Sequence, residues 1–185
     1  MMERRKNAVL VHGFASNGEG SIHLLAPYFE AAGYSVRLMD YLWTGLLGVR
    51  LCNAKIAKAV SQLIPRAAVG VGHSNGCAIL AAASRCGAPF SQLVFLDPAL
   101  DPDAAVGPEV ERIHVWTARK DWALKLAKLL IAHPWGDMGA KGYIGSDRRF
   151  INHGMSVQGH NALFDQGNLE FFGPLIVGEL ARRKA

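Results

Sequence analysis

Short apolar runs alternate with longer amphipathic ones along the whole chain. The short runs are Ala8 to Val11, Ser35 to Met39, Ala67 to Val71, Leu93 to Leu96, Ile113 to Thr117 and, more weakly patterned, Arg148 to Asn152. Runs of this length bounded by polar or glycine-containing segments read as buried strands. Helical stretches lie between them, at 20–32 (with Pro27 placed to bend it), 50–64, 75–86, 122–133 and 168–183. From Trp122 to Ala132 the helix period is plain, because Trp122, Leu126, Leu129 and Leu130 share one face and Lys125 and Lys128 lie off it. Gly33 and Gly87 follow two of these stretches, where a left-handed cap favours glycine, and Pro65 and Pro134 close two others. Strand and helix alternating in this way predict a three-layer α/β architecture: a mostly parallel sheet of about six strands with helices on both faces. Ligands of such sheets bind at the carboxyl ends of the strands, so chemistry is expected just after each strand.

Composition narrows the function classes. A chain of 185 residues, half of them hydrophobic and 19% charged, is globular and predicts a single domain over 1–185. The net charge of +5 hints at nucleic acid, but most of the excess sits at the two ends, in Arg4, Arg5 and Lys6 and in Arg182, Arg183 and Lys184. No basic face with interleaved aromatics is present, so no nucleic-acid partner is expected. The apolar run that follows the basic N-terminal residues is too short for a signal-peptide core, and no run approaches the roughly 20 residues that span a bilayer. A cytoplasmic protein without membrane contact is expected. Cys52, Cys77 and Cys86 are odd in number and form no C-x-x-C, which predicts buried free thiols. The seven histidines show no H-E-x-x-H and no paired ligand spacing, so no metal is expected.

The sharpest chemical signal is Gly72-His73-Ser74-Asn75-Gly76, a G-x-S-x-G that follows an apolar run and opens the helical run from Cys77. Strand, motif and helix in that order are the setting of a nucleophile elbow. Small flanking residues permit the sharp turn. The turn pushes the Ser74 hydroxyl into the cleft and sets the Asn75 backbone N–H at a helix N-terminus, where it stabilises negative charge. A second signal, His12-Gly13-Phe14-Ala15-Ser16, follows the first strand. Gly13 lets the backbone swing so that the Phe14 N–H faces the cleft, and Phe14 with Asn75 then supplies two oxyanion-hole donors. His12 reads as a structural member of that turn rather than a base.

With these motifs the chain resembles the α/β-hydrolase family over nearly its whole length. The resemblance implies a small, cap-less serine hydrolase with the triad order Ser, Asp, His. Carried over residue by residue, Ser74 is the nucleophile and Asp121, in Ala118-Arg119-Lys120-Asp121, takes the place of the acid, although the family's usual glycine is replaced there. Asp97, in Leu96-Asp97-Pro98, is the alternative acid. His160, in Gly159-His160-Asn161, matches the histidine loop before the final helix, with His153 as the alternative. The implied strand order is 2-1-3-4-5-6. The segment from Pro98 to Lys120 is too short for a substantial cap.

The apolar stretch Asp40 to Gly48 reads as a loop that either packs inward or lines an acyl pocket, and His133 to Asp147, with four glycines, reads as a flap. Trp43, Leu46 and Trp122 are the candidate substrate-binding side chains. The expected activity is cleavage of a small-molecule carboxylic ester, with an apolar acyl chain favoured slightly, through an acyl-enzyme and without cofactor. The same triad also fits a thioesterase, amidase or acyltransferase, and the alternative of another class is a non-catalytic hydrolase-like binding protein. Neither the natural substrate nor the oligomeric state is legible in the sequence.

Overall fold

The computed structural model describes residues 6–14, 19–41, 45–119 and 136–182, with the side chains of 45–52 and 119 excepted. Six strands form one sheet: β1 (Lys6–Val11), β2 (Tyr34–Met39), β3 (Ala68–His73), β4 (Phe90–Leu96), β5 (Arg112–Arg119) and β6 (Phe150–Gln158). Their order is β2-β1-β3-β4-β5-β6, and every neighbouring pair is parallel. The reversal between β1 and β3 is the switch point, where the carboxyl ends of two adjacent strands open into a crevice.

Alternation along each strand builds two cores. Ala8 and Leu10 of β1, Val69 and Val71 of β3 and Val94 and Leu96 of β4 face helix α1 (Ala26–Ala31) and the C-terminal helix Gln166–Ala181, where Phe29, Phe172 and Ile176 meet them. Val9, Val11, Leu93 and Phe95 face the other way, toward α2 (Gly45–Leu63) and α3 (Asn75–Arg85). Strand β3 lies in the middle and is buried at every position, as expected of a run covered on both faces. No helix among the described residues is long and apolar enough to cross a membrane.

Four expectations need correction. The stretch at 20–32 is a 3-10 turn, Ile22–Leu25, leading into α1, and Pro27 stands in the first turn of α1 rather than bending a longer helix. Proline has no N–H to lose there. Helix α2 starts at Gly45, so the apolar segment Asp40 to Gly48 is in part helical. Ile56, Ala57 and Val60 recur at the helix period and pack into the core on that side. Strand β6 runs on to Gln158, because Met155 and Val157 keep the inward alternation. The described part of the proposed flap is tied down instead. A short helix at Met138–Lys141 packs its buried Met138 into the core, and the Met138, Gly139 and Ile144 amides donate to Leu100 (2.9 Å), Pro98 (2.8 Å) and Pro102 (2.9 Å). A Cβ on Gly136 would fall 2.1 Å from Leu100 backbone, so glycine there serves close approach rather than motion.

The residues between β4 and β5 form no cap. They run along the far end of α3, held by Arg85 Nη1 on Ala105 O at 2.6 Å and by the Gly107 amide on Ser84 Oγ at 2.9 Å.

Candidate active site

The turn from β3 into α3 stands at the carboxyl edge beside the switch point. Ser74 has φ 53° and ψ −119°, a left-handed backbone that side chains rarely adopt. Its neighbours make the turn sterically possible. A Cβ on Gly72 would meet the Cys77 backbone nitrogen at 2.7 Å, and one on Gly76 would meet Val11 O at 2.2 Å. Those two glycines therefore let α3 start against the backbone of β1. The turn is pinned to β4 by the Ser74 amide on Leu96 O at 3.0 Å and by the Ala99 amide on Ser74 O at 3.2 Å. Asn75 opens α3, so its amide belongs to the electropositive end of a helix.

The segment after β1 lies directly on this turn. An added Cβ on Gly13 would sit 3.1 Å from Ser74 Cβ and 3.2 Å from His73 Nδ1. Phe14, the next residue, is half-buried beside it. His12 is buried, with Nδ1 2.7 Å from Gly13 O and Nε2 2.8 Å from Asp40 Oδ1, and it stacks on Tyr41 with ring centroids 4.2 Å apart. Both ring nitrogens are thus engaged in holding the loop. The Tyr41 hydroxyl donates to His12 O at 3.1 Å and accepts from Asn75 Nδ2 at 3.1 Å. Burial pushes the Tyr41 phenol up to about 12, so it remains a donor at neutral pH. The fully buried Asn75 amide is completed by Asn53 of α2, whose Nδ2 donates to Asn75 Oδ1 at 2.9 Å. The sequence pointed to the Asn75 backbone alone. The partners Tyr41 and Asn53 are 34 and 22 residues away and carry no motif.

His160 follows Gly159, which takes φ 111° at the end of β6 and turns the chain back over the carboxyl edge. The loop is fastened to the elbow by His73. Its Nε2 lies 3.1 Å from His160 O, its ring is 4.9 Å from the His160 ring, and Phe164 packs edge-on against it at 4.9 Å. His73 is the variable residue of G-x-S-x-G, so its tethering role had no signal in the sequence.

His153 lies elsewhere. It sits within β6, stacked on Trp116 at 4.3 Å, with five further residues of strand, about 17 Å of extended chain, before the turn that carries His160. Asp97 is fully buried at φ 43°, and its Oδ1 accepts the Ala118 N–H at 2.6 Å, which clamps the end of β4 to β5. Asp121, Trp43 and Trp122 lie outside the described residues, as does the side chain of Leu46. Of the cysteines, Cys77 is buried beneath the elbow, where burial raises its thiol well above the ordinary range, whereas Cys86 is exposed at the end of α3, contrary to the expectation of buried thiols.

No protein-family model matches the sequence, and no curated protein matches it. Solved structures do match the fold. A protein of the alpha/beta hydrolase superfamily from Xanthomonas campestris pv. campestris superposes with a TM-score of 0.58 at 21% identity, covering 95% of this chain and 98% of that one. The esterase domain of a Rhodothermus marinus protein gives 0.56 at 16% identity, covering 96% and 87%. A lipase from Bacillus licheniformis gives 0.56 at 16% identity, covering 93% and 92%. Together with the strand order and the strained serine at the end of β3, these likenesses establish that the chain has the α/β-hydrolase fold.

Proposed function

We propose that the protein is a serine hydrolase that cleaves a carboxylic ester through an acyl-enzyme. The observation that carries this reading is the strained Ser74 turn, with the Asn75 amide at the start of α3 and the His160 loop fastened beside it through His73. His160 accepts the Ser74 proton as the serine oxygen bonds to the ester carbonyl carbon. The Phe14 and Asn75 amides hold the oxyanion, a contribution of about 3 kcal/mol for each donor. His160 returns the proton to the leaving alcohol as the carbon–oxygen bond breaks. Water, deprotonated by the same imidazole, then releases the acid and regenerates Ser74. Asp121, two residues beyond the end of β5, is assigned to orient His160. Asp97 Oδ1 accepts from the Ala118 amide and ties the end of β4 to β5, which favours a structural role for that oxygen.

The test is hydrolysis of a short-chain aryl ester together with labelling by a fluorophosphonate. Ser74→Ala should lose at least about a thousandfold in kcat and all labelling. A folded Ser74→Ala variant that retains turnover would overturn the assignment. A folded parent chain that neither labels nor turns over would favour a binding protein on the same fold.

A further inference from the structure

A second cluster of chemistry-bearing side chains lies away from the elbow, on the face of β5 and β6 covered by the C-terminal helix. His114 of β5 is buried, and its Nδ1 is 3.0 Å from Nε2 of the half-buried His153 on β6. Glu179, in the last turn of the C-terminal helix, brings a carboxylate oxygen within 4.8 Å of a nitrogen of each ring. Trp116 stacks on His153 at 4.3 Å and separates the cluster from the catalytic edge of the sheet. We propose that His114, His153 and Glu179 form a binding site for a borderline divalent transition-metal ion, with zinc as the representative ion.

Two imidazoles and one carboxylate are a donor set that suits zinc and leaves a fourth position for water. Imidazole binds a metal through the unprotonated nitrogen of its neutral form. One N–H now lies between the two rings. A tautomer change moves it to the outer nitrogen of its own ring, so an ion can enter without net proton release. Zinc–nitrogen bonds near 2.0–2.1 Å in a tetrahedron put the nitrogens about 3.3 Å apart, which asks the rings to open by a few tenths of an ångström and to tilt. β6 is an edge strand and can give.

The opposing charges are Arg112, which acts on His114, and Arg182, whose Nη1 holds Glu179 Oε1 at 2.7 Å. Arg182 is largely exposed, so this pair is weakly held and yields to an ion. No ligand spacing betrays the site in sequence, because His114 and His153 are 39 residues apart and meet only through strand pairing.

The test is calorimetric titration of the metal-free full chain with zinc chloride, followed by thermal melting. One equivalent should bind and raise Tm. His153→Ala and Glu179→Gln, both at partly exposed positions, should each weaken binding more than about tenfold and abolish the Tm rise. His160→Ala and Cys86→Ser should leave both unchanged. Cobalt(II) in place of zinc should give the intense visible absorption of a four-coordinate ion in the parent chain and not in His153→Ala. Absence of binding tighter than about 100 μM, or affinity unaltered by His153→Ala, would overturn the proposal and leave a hydrogen-bonded pair of neutral imidazoles.

Discussion

Ser74 illustrates how function is set against local energy. Its φ of 53° and ψ of −119° are close to the mirror image of an ordinary extended conformation, which glycine adopts freely and serine does not. Strain of this kind costs about 1–3 kcal/mol. Ser74→Gly should therefore raise Tm, in contrast to the usual effect of an added glycine, while ester turnover disappears. A melting point equal to or below that of the parent chain would show the turn to be unstrained. At this scale much was legible in sequence. Gly72 and Gly76 announced the turn, and the Cβ contacts of 2.7 and 2.2 Å are its physical reason. His73 was not legible, since its position in the motif accepts many residues and its partner arrives from the loop after β6.

Among elements, the informative contact is α2 on α3. Asn53 reaches across from α2 to complete the buried Asn75 side chain, and that side chain in turn holds the Tyr41 hydroxyl over His12. Asn53→Ala leaves a buried amide oxygen without its donor, which costs about 1–3 kcal/mol. The expected outcome is a fall in stability to denaturant of that size, with a loss in kcat larger than the change in KM, because the proposed mechanism uses the Asn75 backbone donor mainly in the transition state. An Asn53→Ala variant with parent stability would remove the network from the account. Amphipathic spacing placed the interior of α2, but not its start. Helix α2 begins inside an apolar stretch whose sequence fits both a loop and a first turn. Strand β6 was misplaced for a related reason. His153 and Gly154 look like loop residues, yet pairing with Trp116 and Thr117 keeps them in the sheet.

For the whole molecule, the burial that assembles the site also shapes its response to pH. Tyr41 is pushed up to about 12 by burial, with the Asn75 hydrogen bond acting in the other direction. In the unfolded chain a tyrosine ionises near 10. Between those values the unfolded chain has released a proton that the folded chain retains, so the folded state loses stability as pH rises from about 10 to 12. The slope is at most about 1.4 kcal/mol per pH unit. Denaturation midpoints between pH 9 and 11 should fall for the parent chain and fall less steeply for Tyr41→Phe; equal slopes would remove Tyr41 as the cause. The order of the six strands was legible through the family resemblance that the elbow carries, and alternating strands and helices agree with it. The position of His114 beside His153 was not, since strand neighbours are a property of the assembled sheet.

The loop after β1, the histidine loop and α2 all take their bearings from His73, Ser74 and Asn75. The described parts of the proposed site are thus surveyed from a single benchmark rather than from the separate ends of several strands. The outer strand β2, which carries none of the proposed reacting groups, can breathe or fray while their spacing holds. Misalignment begins when the seam between β3 and α3 parts, and that seam is enclosed, with every residue of β3 and most of α3 buried. Inactivation on heating should then coincide with global unfolding instead of preceding it.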